Sequence, residues 1–312
     1  MFTSLLGGVA LVVFAILHRA RKKWFSIANR SALITGAGSG LGRALALEVV
    51  KKGSSMIVIV DVNSEALQDT KQMITSILSS KHSSSNAPKV QVISVVADLS
   101  SKADLERMFQ TIPKDIDVVI NNAGIVTGLS WEQLSYDDLQ HSLRVNTLAH
   151  FAISKAYLPN MLKKGSGMIV NVASLMATMG GARLLAYSSS KAALMNLHES
   201  LRFDLKRNGQ IGVHLLLVCP YAFASGMFEG IFESNWLTRF LFPVMKTESV
   251  ASRIIQAMEG KEHVLFVPTI LGYAAYLAKF FPIWLYDFVL SLFGAVDGMD
   301  TFRGRAWTRN PT

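Results

Sequence analysis

From residue 31 onward, short apolar runs alternate with longer stretches of helical period. Residues 31–35, 56–60, 90–96, 118–120 and 168–172 read as buried strands, with a sixth ending at Pro220 and a last one over 264–268. Between them, the 3.6-residue repeat of apolar positions predicts helices over 43–52, 64–80, 102–111, 137–164, 187–206 and from about Lys246 to Met258. Strands alternating with helices predict an α/β fold with a doubly wound, parallel, Rossmann-like sheet in a single domain. Ligands of such sheets sit at the carboxyl ends of the strands. The serine-rich patch 79–85 reads as a solvated loop.

Two flanking stretches break this pattern. Residues 1–17 carry no charged side chain, and His18-Arg19-Ala20-Arg21-Lys22-Lys23 follows at once. Such a stretch makes about 25 Å of helix, close to the lower limit for spanning a bilayer. Its charge lies on the wrong side for a cleaved signal peptide, so an uncleaved anchor is expected, with everything after it in the cytosol; the alternative is a segment lying in one leaflet, as on a lipid droplet. Residues 269–296 are again very apolar, interrupted by Lys279, Pro282 and Asp287, and are expected to lie on a membrane or to form a hydrophobic lid. The expected organisation is an anchor with a basic flank over 1–23, a nucleotide-binding domain over 30–268 and an apolar membrane-associated extension over 269–312.

Composition agrees with a membrane contact. Half of the 312 residues are hydrophobic, and the formal net charge is +9. The mean hydropathy is +0.33. The basic residues form no patch interleaved with aromatics, so no nucleic-acid partner is expected. The single cysteine, Cys219, has no partner for an internal disulfide and fits a reducing compartment. His141, His150, His198 and His214 show no metal-ligand spacing, and no metal is assigned.

The candidate chemistry lies at the predicted strand ends. Gly36-Ala37-Gly38-Ser39-Gly40-Leu41-Gly42 joins the first strand to a helix. Glycines there permit a tight turn and let backbone amides approach a pyrophosphate at the helix N-terminus. Asp61 ends the second strand about 20 residues further on, where a carboxylate can bind ribose hydroxyls and repel a 2′-phosphate. No basic residue stands at Ala37, Ser39, Val62 or Asn63 to receive such a phosphate, so NAD is expected over NADP. Tyr187 and Lys191 stand four apart, on one helix face. A lysine ammonium beside a phenol is expected to lower its pKa and make it a general base, or an acid in the reverse direction.

With these motifs in order, the chain resembles the short-chain dehydrogenase/reductase family over about residues 30–270. Thr35, Gly36, Gly40 and Gly42 match its T-G-x-x-x-G-x-G pattern. Asn121-Asn122-Ala123-Gly124 matches its N-N-A-G strand end, and Asn146, Ser174, Tyr187 and Lys191 match its catalytic residues. The resemblance implies that Tyr187 exchanges the substrate proton, Ser174 binds the reacting oxygen, Lys191 binds the nicotinamide ribose, and Asn146 holds a relay water. It implies cofactor contacts at Thr35, Gly36, Ser39, Gly40, Leu41, Gly42, Asp61, Asp98, Leu99, Asn122, Ala123, Gly124, Tyr187, Lys191, Pro220 and Ser225. Tyr221 follows Pro220 where the family usually has Gly, which calls the usual backbone conformation there into question.

The anchor, the glycine loop and the terminal Met299-Asp300-Thr301-Phe302-Arg303-Gly304-Arg305 resemble the membrane-bound branch that holds retinol dehydrogenases and lipid-droplet 17-beta-hydroxysteroid dehydrogenases. The implied function is an NAD(P)-dependent alcohol dehydrogenase or ketone reductase acting on CH–OH. It would use a lipophilic retinol or hydroxysteroid substrate at the endoplasmic reticulum membrane or lipid droplet, with its catalytic domain facing the cytosol. A substrate-covering segment is expected over 221–244, where Phe223, Met227, Phe228, Ile231, Phe232, Trp236 and Phe240 cluster; helix packing explains the same pattern. Family precedent also allows a homodimer. Two alternatives stay open: an NADPH-dependent lipid ketone reductase, and a non-catalytic lipid-droplet scaffold that has kept the fold.

Overall fold

The computed structural model describes residues 25–81, 90–223, 226–231 and 244–304. The expected anchor, Ser225 and the aromatic run from Phe232 to Phe242 lie outside the described residues.

Seven parallel strands form one sheet in the order β3-β2-β1-β4-β5-β6-β7. They are β1 Ser31–Thr35, β2 Met56–Asp61, β3 Gln91–Val96, β4 Val118–Asn121, β5 Gly167–Val172, β6 Val213–Pro220 and β7 Val264–Val267. The central strands are apolar at nearly every position because both faces are covered. Alternation decides which cover each residue meets. On one face Ala32, Ile34, Ile57, Ile59, Ile120 and Val170 pack under α1 (Gly40–Lys51), α2 (Ser64–Lys81) and α7 (Thr247–Glu259). On the other, Leu33, Val58, Val60, Val119 and Ile169 meet α3 (Lys102–Thr111), α5 (Ala149–Lys164) and α6 (Leu185–Arg207).

The expected helix over 137–164 is divided. α4 (Tyr136–Leu143) starts from a reciprocal Ser135–Asp138 cap, and a wider π turn at Arg144–Leu148 precedes α5. Pro159 is accommodated within α5, and Gly165 ends it at φ +61°. Beyond β7, the apolar extension forms two short helices, α8 (Thr269–Ala278) and α9 (Ile283–Leu292), which Pro282 separates. No helix among the described residues is long and apolar enough to cross a membrane.

The strand order reverses between β1 and β4, whose flanking connections run to opposite edges of the sheet. This opens a crevice at the strands' carboxyl ends, where an open α/β sheet binds ligand.

Candidate active site

A cleft with a cavity volume of about 380 Å³ occupies that crevice, a size typical of small-molecule sites. Gly36, Ser39, Gly40, Leu41 and Gly42 line it from the β1–α1 turn. Asp61 comes from the end of β2, Asp98 and Leu99 follow β3, and Asn122, Ala123 and Gly124 follow β4. Ser174, Tyr187, Lys191, Pro220 and Tyr221 complete the opposite side. Fifteen of the sixteen expected cofactor contacts are described, and all but Thr35 reach the wall.

Thr35 is fully buried. Its hydroxyl accepts bonds from the backbone amides of Asn122 (3.0 Å) and Ala123 (3.1 Å). The Asn122 side-chain amide in turn donates to the Thr35 carbonyl at 2.9 Å. Thr35 therefore fixes the two loops on either side of the switch point and does not line the cleft itself. The first motif asparagine is also internal: Asn121 Nδ2 donates to Asn171 Oδ1 at 2.8 Å and to Ser154 Oγ at 3.1 Å.

The glycine turn fits a pyrophosphate. Gly36 and Gly40 adopt φ +65° and +52°, which L side chains rarely tolerate. A Cβ at Gly42 would overlap the Gly36 carbonyl, so only glycine lets α1 start this close to the turn. The Ser39 side chain does not cap α1, and the first helical turn holds no acidic residue. The positive end of the helix is thus left to face an anion in the cleft. Asp61 Oδ2 accepts from the Gly38 amide at 2.8 Å and Oδ1 from the Asn63 amide at 3.0 Å. The Arg43 guanidinium, although near this loop, is engaged by the Gly38 carbonyl, by Ala66 O at 3.2 Å and by Thr70 Oγ1 at 2.9 Å.

At the other end, Ser174 and Tyr187 line the same stretch of cleft, and the Ser174 hydroxyl acts on the Tyr187 phenol to lower its pKa. Ser174 Oγ accepts from the Met176 amide at 3.1 Å and so caps the short turn Leu175–Ala177, while the residue still lines the cleft. Tyr187 is 4% exposed. Burial pushes its phenol up to about 12, against the lowering effect of the Ser174 hydroxyl. Lys191 stands beside Tyr187 on the same helix. Its Nζ lies 6.0 Å from the Tyr187 ring centre and donates to the Val172 carbonyl at 2.9 Å. Burial lowers the ammonium itself to about 7, because desolvation disfavours the charge. Cys219, behind the site, is raised to about 12 by burial and stays a thiol.

Asn146 is wholly buried in the π turn rather than on the cleft wall. Its Oδ1 accepts from the Ile125 amide at 2.8 Å, and its Nδ2 donates to Ile125 O at 3.0 Å and to Ser190 Oγ at 2.9 Å. It pins the loop after β4 to the Tyr187 helix. Ser190 completes this link by donating to Tyr187 O at 2.8 Å. Sequence reasoning missed Ser190 because a serine inside a helix carries no pattern of its own. His150, also missed, holds Ala123 O at 2.8 Å and is kept neutral by burial, with its pKa lowered to about 3.

Tyr221 is not among the residues at positive φ, so this turn does not need the glycine usual in the family. Its amide donates to Val267 O at 2.8 Å, and burial raises its phenol pKa. Phe223, Met227 and Phe228 line the cleft as the apolar run predicted, with the Phe228 ring edge-on to Tyr187 at 5.9 Å.

The sequence pattern of the family described as short chain dehydrogenase matches residues 30–236. The chain belongs to this family. It is accordingly an NAD(P)-dependent oxidoreductase of the alcohol dehydrogenase/ketone reductase type. Mouse epidermal retinol dehydrogenase 2 is 30% identical over 305 residues, which cover 97% of this chain and 93% of the relative. Human 17-beta-hydroxysteroid dehydrogenase 13 is 31% identical over 276 residues, covering 88% and 85%. Among solved structures, a Burkholderia phymatum short-chain dehydrogenase/reductase in complex with NAD superposes with a TM-score of 0.69 at 23% identity, covering 86% of this chain and 96% of that one. A Sphingobium yanoikuyae short-chain dehydrogenase in complex with NADPH superposes with a TM-score of 0.66 at 22% identity, covering 84% and 95%. At these identities the two structures establish the fold alone.

Proposed function

We propose that this protein is a membrane-anchored, NAD-dependent dehydrogenase of lipophilic alcohols of the retinol or hydroxysteroid class. The observation that carries the reading is that Ser174, Tyr187 and Lys191 line one cleft with the Gly36–Gly42 turn. NAD, when bound, supplies the hydride acceptor. Gly36, Ser39, Gly40, Leu41 and Gly42 hold its pyrophosphate, Asp61 its adenosine ribose, and Asp98, Leu99, Asn122, Ala123, Gly124 and Pro220 flank it, with Ser225 added from the sequence. Tyr187 takes the alcohol proton while Ser174 holds the reacting oxygen. Lys191 holds the nicotinamide ribose, and Asn146 positions the Ile125 loop and, through Ser190, the Tyr187 helix. The Asp61 carboxylate favours NAD, since a 2′-phosphate would meet its charge.

The substrate class follows the relatives' names and the apolar Phe223–Met227–Phe228 wall. A membrane setting is supported by residues 1–23 and by the unpartnered apolar faces of α8 and α9. There Ile270, Tyr273, Leu277, Phe280, Ile283 and Trp284 are each more than 60% exposed. Residues 1–23 are the anchor, 30–268 the catalytic domain and 269–312 the membrane-associated extension, with the catalytic domain on the cytosolic side of the endoplasmic reticulum or lipid droplet. Leu148 and Phe151 near α5 and Phe203 on α6 are exposed apolar groups suited to a homodimer.

A ketone reductase is the second reading. The phenol of Tyr187, at about 12, keeps its proton at neutral pH and suits the donor role.

The test is NADH formation by membranes carrying the protein, given NAD or NADP with all-trans-retinol or estradiol. NAD-dependent turnover is expected, falling by about 10²–10⁴-fold in Tyr187→Phe. Full turnover in that variant refutes the mechanism, and a preference for NADP refutes the role of Asp61.

A further inference from the structure

After α9 the chain does not trail away; it returns to the substrate end of the cleft. The Ala295 carbonyl accepts from the Ala182 amide at 2.7 Å, in the loop that leads into the Tyr187 helix. Thr301 Oγ1 donates to Gly230 O at 2.6 Å, and the Arg303 amide donates to Glu229 O at 2.8 Å, both in the loop that supplies Met227 and Phe228. The Phe302 ring fills the space above Gly128, where a Cβ would lie 2.5 Å from it, and Gly128 itself holds φ +67°. A Cβ at Gly230 would overlap the Thr301 carbonyl, and one at Gly304 would overlap Met227 O.

The segment is therefore fastened to three separate loops, and at each of the last two a glycine makes room for it. Between these fastenings Met299, 3% exposed, enters the apolar cluster that contains Tyr187, Val126 and Leu184, with Met227, Phe228 and Phe302 packed around it. Val126, Met227 and Phe228 form the cleft wall, and Met299 stands behind them.

We propose that residues 295–304 are a strap that sets the size and shape of the alcohol site, with Met299 and Phe302 as positioning residues acting through Val126, Met227 and Phe228. This rests on the lipophilic-alcohol reading above. Among the described residues, the strap's hydrogen bonds run to Ala182, Glu229 and Gly230, all at the substrate end, so it governs the alcohol and not the dinucleotide. Removing the Met299 side chain leaves a void behind the wall and lets Met227 and Phe228 relax away from the substrate. A rigid polycyclic alcohol then loses its fit, while a small alcohol is scarcely affected.

The test uses the full-length enzyme in detergent micelles, with NAD and either estradiol or cyclohexanol. Met299→Ala and Phe302→Ala are expected to raise the estradiol KM by about tenfold or more. The KM for NAD should stay within about twofold, and Met299→Leu should restore the estradiol KM because a volume-conserving swap refills the site. An unchanged estradiol KM in Met299→Ala, or a parallel rise in both KM values, overturns the proposal. If the wild type oxidises neither alcohol, the dehydrogenase reading fails separately. The strap is then judged by the estradiol-induced shift in melting temperature of the NADH-loaded protein. Loss of that shift in Met299→Ala supports the strap; an equal shift in both proteins, or none in either, overturns it.

Discussion

Lys191 lies buried with its ammonium on the Val172 carbonyl and no carboxylate among the groups that act on it. Its folded-state pKa is about 7, against an ordinary value of 10.5. Below about pH 7 the lysine is protonated in both folded and unfolded chains, and the folded state bears the cost of the buried charge. Between 7 and 10.5 only the unfolded chain binds the proton, so stability rises with pH; above 10.5 it levels off. Each pKa unit is worth about 1.4 kcal/mol, and the group is half-titrated at pH 7, so the rise from pH 7 to pH 9 is about 2 kcal/mol. At about 2–4 °C per kcal/mol, that is a gain of about 4–8 °C in melting temperature. Lys191→Met removes the titration and keeps most of the side chain's volume. It also removes the bond to Val172 O, but that offset does not depend on pH. Thermal melts of the NAD-free protein in detergent at pH 6, 7, 8 and 9 should therefore show the wild type gaining on the variant as pH rises. The variant should also lose turnover at every pH. Parallel curves for the two proteins would refute the claim that burial, rather than some compensating charge, sets the state of this lysine.

Asn146→Ala breaks three buried hydrogen bonds, to Ile125 N, Ile125 O and Ser190. It should cost about 2–4 kcal/mol in urea unfolding, and an effect below about 1 kcal/mol would show the π turn to be held by other means. Gly42→Ala pushes a methyl into the Gly36 carbonyl, so α1 must move from the turn. The expected results are a stability loss of about 1–3 kcal/mol and an NAD Kd raised by about tenfold or more, read by titration of NADH fluorescence. Deleting residues 1–23 should move the protein to the soluble fraction in carbonate-washed membranes. Full retention there would assign the anchoring to α8 and α9.

The order of strands and helices was legible because parallel strands covered on both faces must read as short apolar runs between amphipathic helices. The glycine turn was equally legible, since only glycine meets its backbone demands, and so was the four-residue spacing of Tyr187 and Lys191. Spacing could not tell which groups face the cleft and which face inward. Thr35 and Asn146 carry family signatures, and both face inward and hold loops, because the loops after β1 and β4 need internal hydrogen-bond partners once they are buried. The protonation states were also beyond the sequence. Four residues apart on a helix, Tyr187 and Lys191 are both buried, and burial raises the phenol and lowers the ammonium in a way that spacing does not encode. Nor could any local pattern bring Met299 back to Tyr187. The two stand 112 apart in the chain yet share one apolar cluster, and only the tertiary path, past glycines at 128, 230 and 304, brings the C-terminal segment behind the cleft wall.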